Sequence, residues 1–161
     1  NALAMEATGL GLRGFGMRAM MSLRLEKFFG SWLAEFKPDY TPAEVGLDRF
    51  IAWKKNDFIG RDAVMAEREI PPARKLVAML VDADDADAVG WEPVFDGDEV
   101  IGFVTSGGYA HYSKQSVAMA LIPEEQARDG AEFQIEILGQ QRAAVITSTH
   151  LVDPDGSRMK G

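Results

Sequence analysis

Trp32 and Glu35 stand three residues apart in a stretch, Phe29 to Tyr40, that has no regular apolar period. An indole can stack on a flat heterocycle, and a carboxylate can accept that ring's N–H groups. The pair is therefore a candidate binding element, with Asp39 a further carboxylate in the same stretch. Loops held by rigid elements carry binding residues more often than the elements do. The competing account is a surface loop whose Trp plugs a gap in the core, and on the residues alone both accounts stay open. Tyr109 is the third candidate. It closes Ser106-Gly107-Gly108-Tyr109, where small residues after a strand would let a ligand or another backbone approach. Without further information a tight turn is the simpler account.

Other constellations are weaker. In Ser22-Leu23-Arg24-Leu25-Glu26, Arg24 and Glu26 are two apart, so on a helix they face different ways. A ligand contact is one use for them; separate structural ion pairs are the reading we prefer. Gly9-Leu10-Gly11-Leu12-Arg13-Gly14 matches the dinucleotide fingerprint, yet only eight residues precede it, too few to supply the required strand. It reads as a glycine loop. Asp82, Asp84, Asp85 and Asp87 lack the glycine and distant Glu of a calcium loop and read as a solvated loop. His111 and His150, the only histidines, have no second ligand at helical spacing, so no metal site is expected. No Gly-x-Ser-x-Gly nucleophile motif occurs.

The elements that must hold these residues fall into two groups. Residues 8–16 carry four glycines and read as a loop. Met17 to Phe28 is rich in helix formers, with Met17, Met20, Met21 and Arg24 on one face and Arg18 and Ser22 on another. Gly30 is the expected stop. Thr41-Pro42-Ala43-Glu44 has the pattern of a capping box with Pro at the first helical position, and Gly46 keeps that helix short. A further helix is expected from about Gly60 to Glu69, ended by Pro71-Pro72.

Beyond the prolines the pattern turns to short strands. Leu76 to Val81, Val94-Phe95, Val100 to Thr105, Ser116 to Ile122, Glu132 to Leu138 and Arg142 to Thr149 are the segments. Asp96-Gly97-Asp98-Glu99 and Gly139-Gln140 mark hairpins, and Pro123-Glu124-Glu125 a turn. So many short strands predict a small barrel or sandwich. From Asp153 the chain is polar and expected to fray.

Charge divides the chain at the same place. Residues 1–72 hold ten basic and ten acidic side chains; residues 73–161 hold seven and fifteen, which gives the net −8. An acidic half repels phosphate backbones, so nucleic-acid binding is not expected. There is no apolar run of roughly 18 residues and no signal-peptide pattern, so no membrane association is expected. The lack of cysteine excludes disulfides and thiolate chemistry and fits a cytoplasmic protein. Asn1-Ala2 reads as a cloning remnant.

The blocks taken together carry a resemblance. Phe15 to Phe50, Phe58-Ile59-Gly60-Arg61-Asp62-Ala63, Thr105 to Tyr109 and Lys114 to Pro123, in this order, resemble the C-terminal part of the folate-dependent aminomethyltransferase family. That family includes the glycine-cleavage T-protein and the rear half of dimethylglycine and sarcosine dehydrogenases. The dehydrogenase branch is the most similar, through Gly16-Met17-Arg18-Ala19, Ser22 to Lys27, Trp32, Thr41 to Leu47 and Phe58-Ile59-Gly60, with Ala43 and Val45 as mild departures. The T-protein branch usually has Arg-Asp where this chain has Met20-Met21, so its arginine contact to folate does not carry over.

The likeness spans roughly residues 9–150 and implies an α+β chain. Residues 1–72 would be the end of a middle folate-binding subdomain, made of helices and irregular segments. Residues 73–152 would be an antiparallel β-barrel of about six strands, and residues 153–161 a tail. The implied function is one wall of a tetrahydrofolate channel for aminomethyl or one-carbon transfer, with Trp32, Glu35 and Tyr109 as its folate contacts. The acting carboxylate would lie in a missing N-terminal part, the expected partner, and flavin in a domain further upstream. The chain alone would then be inactive. A second copy covering the apolar face of the first half is a further expectation. The alternatives are a T-protein-type transferase acting on a lipoyl carrier and a non-enzymatic barrel module that serves as an interaction domain.

Overall fold

The structure, a computed structural model, describes residues 2–160. Asn1, half of the dipeptide read as a cloning remnant, lies outside the described residues, as does Gly161. Helix α1 (Ala2–Gly9), which the sequence did not signal, precedes the glycine-rich stretch, so no strand leads into the Gly9–Gly14 fingerprint among the described residues. Helix α2 (Met17–Glu26) follows.

Helix α2 does not stop at Gly30. It ends at Glu26, four residues earlier, and just past the cap Phe28 takes a left-handed backbone with φ 51°. The Phe28 N–H donates to the Leu25 carbonyl at 3.0 Å and the Phe29 N–H to the Arg24 carbonyl at 3.0 Å. These are the two bonds of a Schellman cap, formed here with Phe in the place glycine normally fills. Gly30 serves a different need: a Cβ there would lie 2.5 Å from Phe36 Cζ.

The capping box at Thr41 forms, with Glu44 Oε2 accepting the Thr41 N–H at 2.9 Å and Thr41 Oγ1 accepting the Glu44 N–H at 3.3 Å. It closes a single turn and not a helix, because the Leu47 N–H bonds back to the Pro42 carbonyl at 2.8 Å and Gly46 turns left-handed at φ 69°. Helix α3 (Arg61–Arg68) follows, within the expected bounds.

The rest of the fold is a closed barrel. Its strands are β1 (Arg74–Val81), β2 (Pro93–Asp96), β3 (Glu99–Ala110), β4 (Gln115–Pro123), β5 (Glu132–Ile137) and β6 (Gln140–Ile146). They run β1-β4-β3-β2-β5-β6, all neighbours antiparallel, and β6 returns to β1 with Met79 opposite Ile146 and Val81 opposite Ala144. The fold class is therefore α+β, with a few helices ahead of a six-stranded antiparallel barrel. Two-residue turns join β2 to β3 at Gly97-Asp98 and β5 to β6 at Leu138-Gly139, one residue earlier than the Gly139-Gln140 turn expected from sequence.

Strand alternation sorts the side chains. Val77, Met79 and Val81 of β1 meet Ala118, Ala120 and Ile122 of β4 and Phe133, Ile135 and Ile137 of β5 inside the barrel. Val117 and Met119 point the other way, to Leu25 of α2. Strand β4 is thus buried on both faces, which explains its nearly unbroken apolar sequence.

Two expectations are overturned. Ser106 to Tyr109 is not a tight turn but the continuation of β3. The segment after Asp153 does not fray: the Asp153 carbonyl accepts from Lys27 Nζ at 2.6 Å, Asp153 Oδ1 accepts the Arg158 N–H at 3.0 Å, and Ser157–Lys160 forms a last helical turn, α4. No helix among the described residues is long and apolar enough to cross a membrane.

Candidate functional site

Three alternate polar residues of α2 reach the barrel. Ser22 Oγ donates to the Tyr109 carbonyl at 3.0 Å and accepts the His111 N–H at 3.1 Å. Glu26, 2% exposed, accepts the Tyr112 N–H at 2.8 Å through its carboxylate. Its carbonyl takes the Leu151 N–H at 3.0 Å. Arg24 Nη1 donates to the Phe29 carbonyl at 3.1 Å and pairs with Glu35 at 3.2 Å. The expectation of separate ion pairs holds for Arg24 and fails for Glu26, which binds backbone N–H groups of the β3–β4 turn. The Ser-Leu-Arg-Leu-Glu run is a clasp: two-residue spacing on a helix fans the side chains out to three different partners.

Glu35 is the centre of the site and is fully buried. Its Oε2 accepts the Ser31 N–H at 2.7 Å and Arg24 Nη1. Its Oε1 accepts Thr105 Oγ1 at 2.7 Å and Ser106 Oγ. Four donors match the full capacity of a carboxylate. Consecutive strand residues normally point to opposite faces, yet Thr105 and Ser106 reach one oxygen. A bulge explains it: the β3–β4 register shifts between Val104 and Ser106 and leaves Thr105 without a partner position. Burial pushes the Arg24 guanidinium below its ordinary value, with Glu35 pulling the other way. Arg24 Nε and Nη2 are buried with no hydrogen-bond partner among the described residues.

This core fixes the open aromatic faces around it. Trp32 is 79% exposed and touches Phe36 edge-on, with ring centroids 5.8 Å apart. Tyr109, 38% exposed, lies three residues beyond Ser106 on β3 and meets His111 edge-on at 5.2 Å. Of the three candidates, Glu35 faces inward with its oxygens occupied, while Trp32 and Tyr109 face solvent; Glu35 links their segments through Thr105 and Ser106.

Sequence reasoning missed Trp91. Its ring stacks on Phe103 at 5.3 Å with 15° between planes, and Lys37 of the Trp32 segment sits 4.9 Å from its centroid. Trp91 is exposed and left-handed at φ 79°. No sequence signal marks it, because its N–H pairs with the Val104 carbonyl at 2.7 Å and its ring lies between Phe103 and Lys37, all distant in the chain. Among the described residues Asp39 forms no hydrogen bond or ion pair with this core.

Two family models match the chain: the GCVT N-terminal domain over residues 1–55 and the glycine cleavage T-protein C-terminal barrel domain over residues 74–153. The chain belongs to the glycine-cleavage T-protein family. Glu35 lies in the first matched region and the Thr105 bulge in the second, so their hydrogen bonds join the two.

Relatives of two kinds are similar to the chain. The chain is 35% identical over 153 residues to human mitochondrial dimethylglycine dehydrogenase, covering 93% of itself and 18% of that protein. It is 36% identical over 137 residues to an aminomethyltransferase of Moorella thermoacetica, covering 84% of itself and 37% of that protein. The crystal structure of the glycine cleavage system aminomethyltransferase T from Bartonella henselae superposes with a TM-score of 0.86 at 27% identity, over 95% of this chain and 44% of that one. The chain thus spans less than half the length of each.

Proposed function

We propose that the chain forms one wall of a tetrahydrofolate channel in a larger aminomethyl-transfer protein of the dimethylglycine or sarcosine dehydrogenase type. The observation that carries this reading is the Glu35 junction, which locks the Trp32 segment onto the β3 bulge and leaves Trp32 and Tyr109 with open faces. Those two faces suit a flat heterocycle and its aminobenzoyl ring. Glu35 serves as a positioning group, since its acceptors are taken. Tetrahydrofolate supplies the amine that receives the one-carbon unit. Enclosure keeps a short-lived electrophile beside its acceptor and away from bulk water.

On this reading residues 1–72 end a middle folate-binding subdomain, residues 73–152 are its C-terminal barrel, and residues 153–161 are a tail strapped to α2. The partner is the preceding part of the same protein. Support comes from the apolar surface of the first half, where Leu10, Leu12, Phe15, Met17, Met20 and Leu23 are all exposed. A second copy of the chain is the proposed cover where that part is lacking. Flavin belongs to a domain further upstream. The cysteine-free composition supports the cytoplasm as the place of work. Met20-Met21 favours the dehydrogenase branch; the equal identity to an aminomethyltransferase favours a carrier-dependent transferase as the second reading. An assay with an aminomethyl-lipoyl carrier separates the two.

The testing experiment is calorimetric titration of this chain with tetrahydrofolate, with circular dichroism to show that it is folded. The expected result is no binding tighter than about 1 mM and no turnover with an iminium donor. Binding near 1 μM would overturn the one-wall reading.

A further inference from the structure

A cavity of about 340 Å³ lies between the Thr41–Phe50 segment, the outer face of β1 and the residues after β6. None of Trp32, Glu35 and Tyr109 lines it. Its size is that of small-molecule pockets. Part of its wall is aromatic. The left-handed Phe28 sets two successive rings on His150, Phe28 at 5.6 Å and Phe29 at 6.4 Å, both edge-on. A bulky residue in this backbone region is strained, and such strain gathers at ligand sites.

Charge supplies the second observation. Arg49 and Lys75 both line the cavity, and neither forms a salt bridge among the described residues. The one carboxylate in the lining, Asp129, is held by the Ser148 N–H at 2.6 Å. The Arg49 guanidinium lies 4.9 Å from the Phe50 ring centre, a contact that leaves its charge unneutralised. The floor includes Leu76, Ala78 and Met119, whose side chains face away from the barrel interior.

We infer that this cavity is a second binding site, separate from the Trp32 and Tyr109 faces, for a small carboxylic acid with an aromatic body. The ring enters against Phe28, Phe29 and His150, and the carboxylate lies between Arg49 and Lys75. Desolvation of the ring supplies most of the affinity, and the two cations supply the preference for an anion.

Benzoate is the probe, with benzamide and benzylamine as its neutral and cationic counterparts, in an amide-resolved NMR titration of the whole chain. Benzoate is expected to bind at about 1 mM and to shift the amides of Phe28, Phe29, Thr147 and His150. Benzamide and benzylamine are expected to bind more weakly. Lys75→Gln and Arg49→Gln should each weaken benzoate by about threefold, and together by about tenfold. Both side chains are exposed, so the variants keep the fold; Lys54→Gln, outside the cavity, should leave binding unchanged. Equal binding of benzamide, shifts confined to other residues, indifference to the double variant, or no shifts at about 10 mM would each overturn the inference.

Discussion

Glu35 holds four donors from three parts of the chain, and that makes it the residue whose loss should be felt most. Removing it leaves the buried Arg24 guanidinium without its anion and strands the Ser106 hydroxyl, while Thr105 Oγ1 keeps the Met119 carbonyl at 3.0 Å. Glu35→Ala should cost about 3–5 kcal/mol, read as a lower denaturant midpoint. A cost below about 1 kcal/mol would mean that the junction is not a lock. Tyr40 offers a pH test. Burial raises its phenol above the ordinary 10.0, against the pull of Arg74, whose guanidinium lies 5.5 Å from the ring. The folded state therefore keeps a proton that the unfolded chain has released. The associated stability is full below the ordinary tyrosine value and falls as pH rises through the folded one. Alkaline unfolding curves should show this loss for the parent chain and not for Tyr40→Phe.

At the scale of elements, the β3 bulge and the close approach beside it do the positioning. A Cβ on Gly107 would run into the Ala88 carbonyl, so Gly107→Ala should destabilise by about 1–3 kcal/mol and disturb the neighbouring Ser106 contact. Unchanged thermal unfolding would show that the Ala88 loop yields freely. The elements also show what a sequence can disclose. The barrel strands were legible because alternation and the Asp96-Gly97 turn are local signals, and α3 was legible between Gly60 and Pro71-Pro72. The capping box at Thr41 and the stop at Gly46 were legible too, though what forms between them is a single turn and not a short helix. What stayed hidden depends on distant partners. Gly30 looks like a helix stop, yet it is small because Phe36 packs over it. Ser106-Gly107-Gly108 allowed a turn or the close approach of another backbone; the second holds, with Ala88 beside Gly107, but within a strand. Asp153 looks like the start of a frayed end, yet Lys27 and Arg158 hold it. At the candidate site, Trp32 and Glu35 were picked out as a pair, but their division into an open face and a buried anchor follows from Arg24 and the bulge.

The whole molecule combines a sealed barrel with an unsealed first half. Helix α1 is apolar with almost no sidedness, and a helix of that kind needs cover on more than one side. Exposed Leu10, Phe15 and Met17 extend the same surface. A dye that lights up on apolar surface should bind this chain strongly, and light scattering should show self-association that Leu10→Asp with Phe15→Asp reduces. A dispersed monomer with no dye signal would count against any missing cover.

The order in which the barrel is made adds a consequence for its synthesis. Strand β1 is the first to leave the ribosome, and its free side waits for β6, the last. Until then the growing chain carries two raw edges, on β1 and β5. Closure across this span of sequence belongs to the slow end of the folding range, roughly milliseconds to seconds. A polypeptide cut short just before Gln140 would keep both edges open for good, and such edges recruit one another. The lesion would then be far worse than the number of residues lost suggests, with the product going to inclusion bodies or to proteolysis.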